Sequence, residues 1–285
     1  MDGLVAILKE LSNQTQQLVK KLVAYERLLN EPVPNAYERE RLLNEVERIG
    51  AGFAGNELRQ QLLDWVQAER SRVEEAKAEF RFEFGKKLLL GLEGSGLEVG
   101  GQLPLVRAGF FFIRADFVSG RATVYWGPEI EQLKTGVKLE PLALAKLVRA
   151  YYESLIRDGI KEPQEFLSRL FEGYRRVCHA RDLTAGERIL LIDLLAELVL
   201  MMQPERFRVN PVKENFVDYP RVRFSYDLYL LRRSGVRVVG GQELRLTVAN
   251  FDATTRKTKA LWVPDNEAGE GTYYSYISFV PVREV

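Results

Sequence analysis

RVRFSYDLYLL, residues 221–231, alternates Val222, Phe224, Tyr226, Leu228 and Leu230 with Arg221, Arg223, Ser225, Asp227 and Tyr229. A period of two sends one set to each face of a β-strand, so the stretch reads as a strand with one apolar and one polar side. Shorter candidates follow at about 236–239, 243–249, 258–263 and 273–281. Together they predict a C-terminal antiparallel sheet, or a small partly closed barrel, over 221–282.

Upstream of this sheet the pattern turns helical. Pro141 suits a first helical turn before LALAKLVRAYYESLI, and Pro163 opens a second helix with Phe166, Leu167, Leu170 and Phe171 on its apolar side. Thr184 and Glu187 have capping-box spacing, which predicts a third helix over Glu187–Met202, apolar nearly all round and therefore buried. Helices are thus expected over 140–203. Further back, VRAGFFFIRADF and RATVYW flank Val118-Ser119-Gly120, a β-hairpin over 105–127. The glycine-rich stretch Gly91–Gly101 precedes it and reads as a flexible connection. A phosphate cradle needs strand, glycines, helix in that order, and here a helix comes first and a strand follows.

The first 92 residues read as a helical interaction region. Leu4, Leu8, Leu11, Thr15, Leu18, Leu22, Tyr25 and Leu29 repeat with spacings of 4 and 3, the seam of a coiled coil. Pro32 and Pro34 end that helix, a second runs from about Asn35 to Ile49, and a third starts near Asn56, an N-cap candidate. The expected fold class is α+β: a helical, partly coiled-coil region over 1–92, then a mixed domain over 102–285 with a helical core and the C-terminal sheet.

Composition narrows the function. The chain has 285 residues, 46% of them hydrophobic and 28% charged, with one cysteine and one histidine. These are the proportions of a folded globular chain, with no disulfide framework. Zinc and di-iron schemes that need two or more histidines are excluded. Cys178 and His179 are adjacent, so on a helix they point about 100° apart and cannot act as nucleophile and base on each other. No metal or cofactor is expected. The N-terminus carries Asp2 and no basic stretch, and the longest apolar run, Ile189–Met202, contains Asp193 and Glu197. The reading is a cytoplasmic protein without a membrane segment. Asp193 and Glu197 share one helix face and read as partners of arginines such as Arg175, Arg176 and Arg188.

Over residues 205–260 twelve basic side chains face six acidic ones, in a chain of net charge +1. Aromatics interleave with them. A sheet presenting Arg221, Arg223, Arg232, Arg233, Arg237, Arg245, Arg256, Lys257 and Lys259 among aromatics has the chemistry to hold single-stranded nucleic acid. The leading expectation is a non-catalytic assembly or adaptor subunit, not an enzyme. It would associate with itself or a helical protein through Leu4, Leu8, Leu11, Leu18, Leu22 and Leu29 and contact nucleic acid or an acidic protein surface through the basic sheet. One alternative is a Mg²⁺-dependent nuclease using Asp227 and Glu243 beside Arg245, although arginine is a poor proton carrier. Another is a purely structural oligomeric scaffold.

Overall fold

The structure, a computed structural model, describes residues 2–53, 56–129 and 131–282. The fold is α+β, with N-terminal helices followed by antiparallel sheets. The chain forms two compact units, one of Met1–Leu90 with Phe117–Gly120, the other of Gly91–Asp116 with Arg121–Val285.

The first unit is built on α1 (Asp2–Leu28), α2 (Ala36–Ala51) and α3 (Asn56–Leu92). The side chain of Asn56, the expected cap of α3, lies outside the described side chains. Leu18 and Tyr25 of α1, Leu42, Leu43 and Val46 of α2, and Leu62, Val66 and Val73 of α3 form one apolar cluster. A polar group sits inside it. The Tyr25 hydroxyl donates to Glu69 Oε2 at 2.8 Å, while Arg39 Nη2 donates to Tyr25 at 3.1 Å and to Glu69 at 3.3 Å. One residue from each helix thus bonds to the other two, which offsets the cost of burying the charge pair, while Arg39 Nε stays buried without a partner. Phe117 packs between Tyr37 and Phe84, with ring centroids 5.7 and 5.5 Å away.

The second unit contains two sheets. In the first, β1 (Val99–Gln102), β2 (Leu105–Ala108), β3 (Phe111–Asp116), β4 (Arg121–Trp126) and β5 (Glu131–Lys138) follow one another as an antiparallel meander. The hairpin of β3 and β4 is where its turn glycine places it, pairing Phe111 with Trp126 and Asp116 with Arg121. Three strands are additions to the two-stranded hairpin of the sequence reading, whose first strand is split at Gly109-Phe110 into β2 and β3. β1 uses the end of the glycine stretch, and β5 is a largely exposed edge whose EQLKTGVK carries no apolar alternation.

Helices α4 (Pro141–Asp158) and α5 (Pro163–Ala180) begin at the two prolines. The third helix starts later than its capping box implies. Thr184 and Glu187 do bond to each other, but a short strand β6 (Ile189–Leu190) intervenes before α6 (Leu191–Met201). A five-residue helix, α7 (Glu205–Val209), follows.

The largest correction concerns residues 221–231. They are not a strand. They lie in α8, Arg221–Ser234, which Pro220 precedes and Gly235 ends with a left-handed φ of 73°. The period-two pattern misled because α8 is enclosed on most of its surface: Phe224, Ser225, Tyr226, Asp227, Leu228, Tyr229 and Leu231 are all buried. A helix covered over most of its surface has little need of a 3.6-residue stripe. Ser225 is small where two tryptophans converge, accepting from Trp126 Nε1 at 2.9 Å and donating to the Trp262 carbonyl.

The second sheet therefore starts after α8. β7 (Val238–Val239), β8 (Gln242–Val248), β9 (Leu261–Pro264) and β10 (Gly271–Pro281) flank the short α9 (Phe251–Thr254). The strand path β6-β10-β8-β7, with β9 also on β10, is open rather than a closed barrel. The hairpin at 105–127 belongs to the other sheet. Trp262 packs flat against Gly127, where any Cβ would fall 2.4 Å from its ring and the backbone already has φ +64°. No side chain fits there.

Candidate functional site

Two surfaces correspond to the two halves of the sequence reading, the helical seam and the basic region. The first is α1. Its seam divides in two. Leu18 and Tyr25 are buried, and Leu22 packs against the helical core. Leu8 and Leu11 are 58% and 39% exposed, and Val5 and Ile7 beside them are 47% and 62% exposed. Leu29 is exposed as well, while the Leu4 side chain lies outside the described side chains. At 100° per residue, Val5, Ile7, Leu8 and Leu11 share one side of the helix, and Lys9 and Glu10 lie off it. The positions flanking the bare seam, Val5, Ile7, Ser12 and Gln14, carry no charge.

The second place lies in the region expected to be a basic sheet. Of the nine basic residues assigned to it, Arg221, Arg223, Arg232 and Arg233 are on α8 rather than a strand. Seven of the nine hold carboxylates. Arg221 and Lys257 share Glu131, Arg223 holds Asp227, Arg232 holds Asp265, Arg233 holds Glu267, and Arg237 and Arg245 share Glu243. Arg221 also donates to the carbonyls of Lys257 and Ala260. These side chains tie segments together. The aromatic half of the expectation changes too, because Phe224, Tyr226, Tyr229, Trp262 and Tyr274 are core.

Among the described residues, Arg256 and Lys259 have no carboxylate partner and no side-chain hydrogen bond. Both line a cleft of about 540 Å³ with Asn250, Asp252, Ser275 and Tyr276, closed by apolar Leu190, Val248 and Ala253. Asn250 is fixed by accepting from the Ala253 amide at 3.0 Å, which also caps α9. Ser275 is the extra residue of a β-bulge, since Tyr274 pairs with Val248 and Tyr276 with Thr247. The bulge shifts the inside-outside alternation of β10 at this point. The Ser275 hydroxyl is buried with no hydrogen-bond partner. Sequence reading missed Ser275, because a bulge is set by the pairing of two strands and leaves no mark on either alone.

Asp227 and Glu243 are each held by a separate set of partners. Asp227, 1% exposed on α8, is surrounded by its own donors. Tyr219 donates to it at 2.8 Å, the Ile160 amide at 3.0 Å and Arg223 at 3.1 Å. Burial pushes the Asp227 carboxyl above its ordinary range, against the pull of Arg223. Glu243 lies on β8, between Arg237 and Arg245. The two acids have no partner in common, and among the described residues no group of three or more His, Cys, Asp or Glu is arranged to hold a metal ion. Asp193 pairs with Arg181, and Glu197 with the expected Arg176. Cys178 is buried and His179 exposed.

Among the described residues no helix is long and apolar enough to cross a membrane. No protein family, curated protein or solved structure matches the chain.

Proposed function

We propose that the chain is a non-catalytic assembly subunit of the cytoplasm that pairs with a second copy of itself through the first half of α1. The observation that supports this is the divided seam: one heptad pattern is filled internally at Leu18, Leu22 and Tyr25 and bare at Leu8 and Leu11, with Ile7 exposed on its flank. The bare half is already helical by continuity with the packed half, so docking carries little of the usual cost of helix nucleation. Uncharged flanks favour a like copy, since no like charges face each other across the seam. Covering each half-exposed leucine or isoleucine contributes on the order of 1 kcal/mol, so several together support a specific dimer.

The mass in solution tests this. Sedimentation equilibrium of the wild type is expected to give twice the chain mass, and the triple variant Ile7→Asp, Leu8→Asp, Leu11→Asp the single mass with unchanged helix content and a thermal melt that no longer depends on protein concentration. A wild type that stays monomeric at its highest soluble concentration defeats the proposal. Leu18→Asp is the wrong variant for this purpose, because Leu18 is buried in the helical core and its loss unfolds the unit.

A second reading, contact with nucleic acid through the C-terminal unit, is favoured by one observation. Two cations of the expected nine, Arg256 and Lys259, hold no carboxylate, and both line the same cleft.

A further inference from the structure

We infer that the second copy enters antiparallel, its bare α1 stem lying in the notch where α2 stops short of α1 and α3. The inference rests on the self-pairing reading and adds to it an orientation and a second wall, on α3.

Contacts along the first unit set the levels of its helices. Tyr25 bonds to Arg39 at 3.1 Å, Lys21 pairs with Glu45, and a Cβ on Gly52 would fall 3.8 Å from Gln14 Nε2. Partners on this side climb from 39 to 52 as those on α1 descend from 25 to 14, so the two helices are antiparallel and α2 stops level with Gln14. α1 continues past that level to Asp2, about 18 Å of helix at 1.5 Å per residue. Every described side chain from Val5 to Asn13 is exposed. α3 overshoots α2 as well. Leu62 is buried and meets Gly50 near the end of α2, and the side chains from Glu57 to Gln61, nearer the start of α3, are exposed.

The space beyond α2 has two apolar walls. Leu11 stands two turns before Leu18 on α1, and Leu58 one turn before Leu62 on α3, and residues so spaced share a helix face. Leu18 and Leu62 face the core that α2 completes. Leu11, with Leu8 beyond it, and Leu58, 52% exposed, therefore face the place that a longer α2 would fill.

One orientation of a second α1 fits there. A parallel copy runs from its stem on toward its own Leu18, along the line that α2 already occupies, and meets α2 at Gly52. An antiparallel copy brings its helix start toward Gly52 and carries its own α2 and α3 away past the first copy's stem. The relation is two-fold, so each stem fills the other's notch and both sets of leucines are covered together. The seam that packs α1 on α2 within one chain is thereby continued by α1 of the other. The paired stems form a strut with a helical body at each end.

Spin labels read the orientation in the full chain, since Cys178 is buried and a new surface cysteine takes the label. Lys9→Cys, Asn13→Cys and Lys20→Cys, all at exposed positions, are compared by double electron–electron resonance. In the antiparallel pair, like labels separate by about 3 Å along the strut for each residue away from its two-fold axis, so Lys20 labels lie roughly 20–30 Å farther apart than Lys9 labels. Leu58→Asp weakens the dimer about tenfold or more in sedimentation equilibrium, and Leu58→Ala by a smaller factor, both with the helix content of the wild type. A dimer whose labels are equally close at all three positions is parallel; that overturns the orientation and leaves self-pairing standing. Leu58→Asp dimerising as tightly as the wild type overturns the notch in the same way. The mass of one chain, with no dipolar coupling at any position, overturns self-pairing and the inference with it.

Discussion

α1 and α8 are both helices, and they stand at opposite ends of what a sequence pattern reports. α1 has a regular seam of 3 and 4 spacings, and half of that seam faces solvent. α8 has an alternating pattern that belongs to a strand, and it is enclosed by both tryptophans of the core, Trp126 and Trp262. Periodicity records one-sided burial. Where a helix is covered all round, any order of large, small and satisfied polar residues serves, and the period disappears. Where a helix keeps a clean period without an internal partner, the period points to an external one.

The sharpest way to break this comparison is to truncate one leucine in each helix. Leu228→Ala, at a fully buried position of α8, is expected to cost roughly 2–5 kcal/mol in urea unfolding. Leu8→Ala, on the bare half of α1, is expected to change unfolding by about 0.5 kcal/mol or less while weakening self-association. Equal costs at the two positions contradict the assignment of one as core and the other as interface.

Alkaline pH is expected to act on both helices alike. Burial pushes Tyr25 of α1 and Tyr226 of α8 up to about 12, from an ordinary value of 10. Hydrogen bonding to Glu69 adds to the shift at Tyr25. What the neutral phenols contribute is whole below pH 10 and is lost as pH rises toward 12, because the unfolded chain ionises first. The urea midpoint should therefore fall over that window. Phenolate absorbance should show a set of tyrosines that titrate late and together with unfolding. Early titration of all tyrosines contradicts their burial.

The smallest expected effect bears on the end of α8. Gly235 adopts a left-handed φ with open space about its Cβ position, so Gly235→Ala should cost about 1 kcal/mol from backbone strain alone, and Gly235→Asn less. A neutral Gly235→Ala, read from the same urea midpoint, contradicts the helix end and favours an extended chain through this segment.

Much of the chain was legible in advance because its signals are local. Pro141 and Pro163 start their helices, Gly120 turns its hairpin, and the strands of the C-terminal sheet fall close to their expected positions. β5 was illegible because an exposed edge strand needs no apolar alternation, and β1 because two of its four residues are glycine. The candidate site was half legible. Arg256 and Lys259 belong to the expected basic set, but so do seven others that Glu131, Asp227, Glu243, Asp265 and Glu267 hold in place.

The sequence by itself determined the class of fold, the helical character of its first 90 residues, and the exclusion of multi-histidine metal chemistry. Those properties follow from composition and from spacing along the chain. Only the tertiary structure decided that residues 221–234 are a largely buried helix, which cations are committed, and that a bulge leaves the Ser275 hydroxyl buried without a partner. Each of these depends on which distant residues meet. A charge is available or spent according to its neighbours in space, and a strand position faces in or out according to its register with the next.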